Sequence, residues 1–191
     1  MLSLAIPAGA LSAEYSIYPN GTAYHATIGI TGTERYTFAD MGFMGEDVPL
    51  AAGGVELIQE DGLPAAYTWN RPWGAPSSIA FAKGNYTVSF VAPLGNNNLK
   101  AIFKKPYNVS VSIPQNFSVA NPLLAGLSNG AHVTVHADNS TTVSWNDTYM
   151  FDLRFYSPGQ QDILFIFFQF MVILIFVLVV IPYVISMRKD Q

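Results

Sequence analysis

The chain has 191 residues, only 12% of them charged, a net charge of −4 and no cysteine. Setting aside Arg188, Lys189 and Asp190 at the C-terminus leaves twelve acids against seven bases, so no basic footprint for nucleic acid exists. The lack of cysteine excludes a disulfide framework, a thiolate metal site, a lipid-attached cysteine and a cysteine nucleophile.

Residues 1–13, MLSLAIPAGALSA, are apolar and end in small residues, like the close of an export signal that lacks the basic start. An ordinary first strand is the other reading. From Glu14 the text alternates with period two. Tyr15–Tyr18 and Thr22–Ile30 flank Pro19-Asn20-Gly21, a turn with glycine for positive φ. Residues 41–76 are rich in glycine and proline, and only Val55–Gln59 and Ala66–Trp69 there resemble strands, which predicts an irregular insertion. Regularity returns with Ile79–Ala82, a turn at Lys83-Gly84-Asn85, and Tyr86–Val91. Lys100–Phe103 and Tyr107–Ile113 follow, then a hairpin of His132–Ala137 and Thr141–Trp145 across Asp138-Asn139, and a last strand, Met150–Tyr156. Alternation with one polar face means antiparallel sheets packed face to face. The expected fold for residues 14–160 is therefore an all-β ectodomain, an antiparallel β-sandwich of Ig-like general architecture.

The run Ile163–Met187 is different in kind: it is uncharged, and only Gln169 and Ser186 are clearly polar. A helix needs about 20 apolar residues to cross a ~30 Å hydrocarbon core, so residues 161–187 read as one transmembrane helix. Arg188 and Lys189 follow at once. Positive residues stay on the cytoplasmic side, which makes residues 188–191 a cytoplasmic tail and places the β-domain outside. Pro182 removes one helical hydrogen bond near the inner end. Gln169 is the candidate intramembrane contact, since its amide can bond a partner helix.

Asn-x-Ser/Thr sites begin at Asn20, Asn85, Asn108, Asn116, Asn139 and Asn146, and on an external domain each is a candidate for N-glycosylation.

The stretch YTVSFVAPLGNNNLKAIFKKPYNVSVSIPQNFSVANPLLAGLSNG from Tyr86, followed by the Val143-Ser144-Trp145 strand and a terminal membrane helix, resembles an uncharacterised archaeal family. The resemblance covers roughly residues 80–187. It implies an exported β-domain on a single C-terminal helix and an archaeal source, and it supplies no activity and no site residues.

Little in the chain looks like catalytic chemistry. His132 and His136 share a strand face, but four residues are ~13 Å, too far for one metal ion, and His25 stands alone. Glu46-Asp47 and Glu60-Asp61-Gly62 read as solvated turns, and Lys104-Lys105 as a solvated pair. There is no G-x-S-x-G elbow, S-x-x-K motif or phosphate-cradling glycine loop. The sharper cluster is Tyr67-Thr68-Trp69-Asn70-Arg71-Pro72-Trp73. Residues two apart share a strand face, so Tyr67, Trp69 and Arg71 can form a ladder with cation–π stacking. With Trp73 they make either a binding platform or a roof over the core.

The expectation is a membrane-anchored, N-glycosylated, extracellular β-sandwich acting as a non-enzymatic binding or cell-envelope structural module. It needs no cofactor and no metal, and its partners are the lipid bilayer and another membrane protein or a cell-surface glycan. One alternative is an accessory single-pass subunit of a larger membrane complex; a second is an extracellular hydrolase.

Overall fold

The computed structural model describes residues 11–42 and 44–189. Most of the signal-like segment 1–13, and Asp190 and Gln191 of the expected tail, lie outside the described residues. The elements in chain order are β1 (Leu11–Ile17), β2 (Ala23–Met41), β3 (Asp47–Pro49), β4 (Gly53–Gln59), β5 (Thr68–Asn70), β6 (Ser77–Pro93), β7 (Asn98–Ile113), β8 (Gly126–Leu127), β9 (His132–Val135), β10 (Thr141–Arg154) and α1 (Pro158–Lys189).

The strands form a large mixed sheet whose main path runs β4-β6-β2-β1-β7-β10-β8, with β3, β5 and β9 added to β2, β6 and β10. The expectation of purely antiparallel sheets is corrected here. β1 pairs antiparallel with β2 but parallel with β7, Ala13 facing Val109 and Tyr15 facing Val111. A parallel neighbour needs a long crossover, and β2 to β6 supply it. Alternation along a single strand cannot reveal this direction, because side chains alternate alike in both arrangements.

The second correction concerns strand length. The Lys83-Gly84-Asn85 stretch is not a turn: β6 runs unbroken through it for 17 residues. Lys100–Phe103 and Tyr107–Ile113 are likewise one strand, and Thr141–Trp145 continues into the strand that ends at Arg154. The glycine in β6 serves a different purpose. A Cβ on Gly84 would stand 2.9 Å from the Tyr86 ring, so the ring lies across the bare backbone.

These long strands bend. Tyr36 lies ten residues beyond Ala26, which would be ~33 Å along a straight strand. Yet Phe90, the register partner of Ala26, has its ring centroid 6.2 Å from that of Tyr36. The β2/β6 ladder therefore doubles back, and its register slips between Ile30 and Arg35 mark the bend. The β7/β10 ladder does the same between Trp145 and Met150, which brings the Trp145 ring 5.1 Å from Phe151. Between the folded ladders lies one core, in which Trp145, Phe38, Phe151, Phe155 and Leu57 are fully buried.

The tyrosines Tyr15, Tyr24, Tyr36 and Tyr107 meet in this core. Burial raises the pKa of each hydroxyl, and for Tyr15 and Tyr36 neighbouring tyrosines raise it further. Tyr107 donates to the carbonyl of Gly29 at 2.8 Å.

Two turns read from the sequence are present. Tyr18 and Gly21 close the first, with Gly21 at φ 68°, and a Cβ on Gly21 would meet the Phe117 ring at 2.5 Å. In the second, Asn139 takes φ 62° and Asp138 accepts from the Ser140 hydroxyl at 2.6 Å. In the irregular stretch 41–76, β4 and β5 fall where strand-like text was found, and β3 is an addition.

One residue, Ser157, separates Tyr156, the last bridged residue of the sheet, from α1. The helix starts three residues earlier than the apolar run suggests because its start is capped. The Ser157 amide donates to Gln160 Oε1 at 2.9 Å, and the Gln160 amide donates back to the Ser157 carbonyl at 3.0 Å. Pro158 takes the first helical position, where its missing N–H costs nothing. Within Pro158–Tyr183 the most apolar window of 18 residues has a mean hydropathy of 3.3, and none of that window is covered by the β-domain. It is long and apolar enough to cross a membrane.

Candidate functional site

The aromatic ladder is held by β5, which pairs with β6 so that Trp69 faces Ile79. The Arg71 guanidinium carbon lies 4.4 Å from the Trp69 ring centroid, and Tyr67 meets the same indole edge-on at 6.2 Å. Beneath them Trp69 rests on the buried Phe38 at 5.3 Å, while the Tyr67 hydroxyl donates to the Val55 carbonyl at 2.8 Å. These three side chains are brought together, as a half-buried roof with a cation on it. Trp73 is set apart. It stands on the loop between β5 and β6 with a relative exposure of 101%, just before Gly74 at φ 72°.

A second place was not singled out from the sequence. It is a cleft of about 460 Å³ between the end of β2 and the β6–β7 hairpin, with Tyr24, Asp40, Asn96, Asn98, Lys100 and Arg154 in its wall. The hairpin is a two-residue turn, closed by the Asn98 amide on the Gly95 carbonyl at 3.1 Å, with Asn96 and Asn97 at φ 54° and 52°. Positive φ at both central residues is the type I′ arrangement, and asparagine tolerates it. The Gly95-Asn96-Asn97-Asn98 text was the available signal. In the cleft the Asn98 Oδ1 is buried and has no hydrogen-bond partner among the described residues. Burial, and then the neighbouring Asp40 carboxylate, raise the pKa of the Tyr24 hydroxyl. The wall offers charge and hydrogen bonds, and among the described residues it contains no serine, threonine or histidine.

The other candidates are dispersed. His25 Nε2 shares a hydrogen with Ser89 Oγ at 2.8 Å, His136 Nε2 does so with Thr142 Oγ1 at 2.7 Å, and His132 lies on the edge strand β9. Among the described residues no three histidine or acid side chains converge as metal ligands do. Glu60 accepts from Asn85, and Asp61 accepts from the Leu63 amide within its own turn. Gln169 is exposed on α1.

Of the glycosylation candidates, Asn20, Asn85, Asn116, Asn139 and Asn146 are exposed and Asn108 is half-buried. Asn85 Nδ2 donates to Glu60 and Asn116 Nδ2 donates to the Pro19 carbonyl. Asn108 Oδ1 accepts from the Asp147 amide at 3.0 Å, across the β7/β10 bend.

Residues 12–189 match a family of unknown function, DUF5803. The chain belongs to that family. No curated protein matches it. Apart from Leu11, the DUF5803 match takes in the described sheet and α1 together, so the β-domain and the apolar helix belong to one family unit.

Proposed function

We propose that this DUF5803 member is an exported, membrane-anchored β-domain displayed outside the cell, where it serves as a non-enzymatic binding or envelope structural module. The observation that carries the reading is α1: a bare apolar helix joined to the sheet by one residue. Arg188 and Lys189 after the apolar run support an orientation with the C-terminus in the cytoplasm. The N-glycosylation candidates and the resemblance to archaeal sequences support export and an archaeal source. The doubled-back sheet supports a sandwich-like reading of the domain, with the Tyr67–Trp69–Arg71 roof as the place for a partner protein or glycan.

Protease added to intact cells tests the reading. The expected product is a fragment of a few kilodaltons starting near residue 158, and full protection of the chain would overturn the orientation. Gln169 favours a second reading, an accessory subunit of a larger membrane complex, because nothing in the β-domain covers its amide on the exposed helix surface. Stoichiometric co-purification of an integral membrane protein in mild detergent, lost with Gln169→Leu, is the outcome expected for it.

A further inference from the structure

Trp73 is a large side chain that the β-domain leaves fully uncovered, on a short loop between Pro72 and Gly74. Tryptophan is rarely left so bare, and it favours places where one side is apolar and the other wet.

Its position in the domain follows from register. The β6–β7 hairpin lies at the start of α1: the Phe155 amide donates to the Asn97 carbonyl at 3.1 Å, and Asn97 Nδ2 donates to Gln160 Oε1 at 3.3 Å. The cleft wall joins that hairpin to Asp40, so the far end of β2 has returned to the helix end of the domain. β6 pairs with this end of β2, Ser78 facing Thr37 and Ser77 facing Phe38. The chain immediately before Ser77 therefore leaves the ladder at the end of β2 that leads to Ala39 and Asp40, which puts loop 71–76 at the same end. Met44, 90% exposed, follows Met41 on the adjacent loop. Two bare apolar tips thus lie on loops at the helix end of the domain.

We infer that the β-domain rests on its own bilayer, with Trp73 seated in the boundary between headgroups and acyl chains beside the anchor. The inference rests on the anchor reading above. The distances agree with it. From Pro158 to Ile163 the helix rises ~7.5 Å at 1.5 Å per residue. The headgroup layer on each side of a ~30 Å core is roughly 5–7 Å thick. The helix end of the domain consequently stands at the headgroups, within reach of an indole. The single linking residue Ser157 keeps it there, and a tight turn loses little freedom on insertion. Tryptophan is the residue most at home at that depth.

The test uses the full chain reconstituted in phosphatidylcholine vesicles with brominated acyl chains. Trp145 is buried and Trp69 is covered by Phe38 and Arg71, so most bromolipid quenching of the three tryptophans should come from Trp73. Trp73→Phe is expected to remove at least half of that quenching and to leave quenching by aqueous iodide unchanged. A Trp73 that iodide reaches and bromolipid does not would overturn the inference, as would a Trp73 shielded from both by protein. Resistance of the same vesicles to alkaline carbonate separates the two failures. A chain stripped by carbonate refutes the anchor itself, whereas a carbonate-resistant chain with Trp73 in water refutes only the docking.

Discussion

Trp69 lies between Phe38 and Arg71, its ring 5.3 Å from the buried phenyl ring and 4.4 Å from the guanidinium carbon. Trp73, four positions on, is fully exposed, with nothing of the β-domain packed on it. The two tryptophans of one short motif thus have opposite roles in stability. Trp69→Ala should cost about 2 kcal/mol, below the ~3–5 kcal/mol of a fully buried aromatic because the ring is half-exposed. Trp73→Ala should stay within about 0.5 kcal/mol. Denaturant melts of the detergent-solubilised chain check both, and equal losses would contradict the placement.

The Arg71 contact has its own signature. A cation over a half-exposed indole is worth about 0.5–1 kcal/mol. A double-mutant cycle of Arg71→Ala and Trp69→Phe should return a coupling of that order, persisting in salt because the ring carries no net charge. A coupling near zero would make the contact incidental.

Glycine replacements separate two kinds of cost. At Gly32, φ is 64° and nothing lies within 4 Å of an added Cβ, so Gly32→Ala pays only the left-handed strain of about 1 kcal/mol. At Gly21 the same strain is joined by a collision with Phe117 at 2.5 Å. Gly21→Ala should destabilise more than Gly32→Ala, and adding Phe117→Leu should recover part of the difference.

Alkali should unfold the domain through its buried tyrosines. Their pKa values in the fold are raised above the ordinary 10.0, chiefly by burial. The unfolded chain therefore releases these protons first, so stability is full below pH 10 and falls as pH rises beyond it. Tyrosinate absorbance should develop in two steps, with Tyr15, Tyr24 and Tyr36 ionising only as circular dichroism reports loss of the sheet. A single step at the ordinary pH would contradict their burial.

If the chain is glycosylated as proposed, the sites should differ in occupancy. Asn146 is exposed beside the β10 bend, whereas Asn108 is half-buried and holds the Asp147 amide, and Asn116 Nδ2 is engaged with Pro19. Asn146→Gln should remove a glycan-dependent shift on gels, and Asn108→Gln and Asn116→Gln should leave the pattern unchanged.

The amino-acid sequence alone determined the features that depend on near neighbours. Alternating residues such as Val109, Val111 and Ile113 mark a strand with one buried face, and the buried face is where they lie. The uncharged run through Phe165 and Val179 marks a helix long enough for a membrane, and Pro19-Asn20-Gly21 marks a turn. The ladder of Tyr67, Trp69 and Arg71 was legible for the same reason, since a period of two places alternate residues together. Tertiary structure decided what depends on the chain's distant parts. Gly84 and Pro106 punctuate the sequence like turns, but each sits inside one long strand, because the partner strand runs past it and the core draws the bent halves together. The parallel pairing of β1 with β7 joins residues almost a hundred positions apart, and no local pattern encodes direction. Trp73 and Trp69 are both tryptophans at strand-like spacing, yet only the end of β5 at Asn70 and the presence of Phe38 beneath one of them part roof from tip. The cleft of Asp40, Asn98 and Arg154 exists only because β2 folds back to meet the hairpin at the helix. Burial is a property of the whole packed chain, so the sequence shows which residues alternate and the fold decides what they meet.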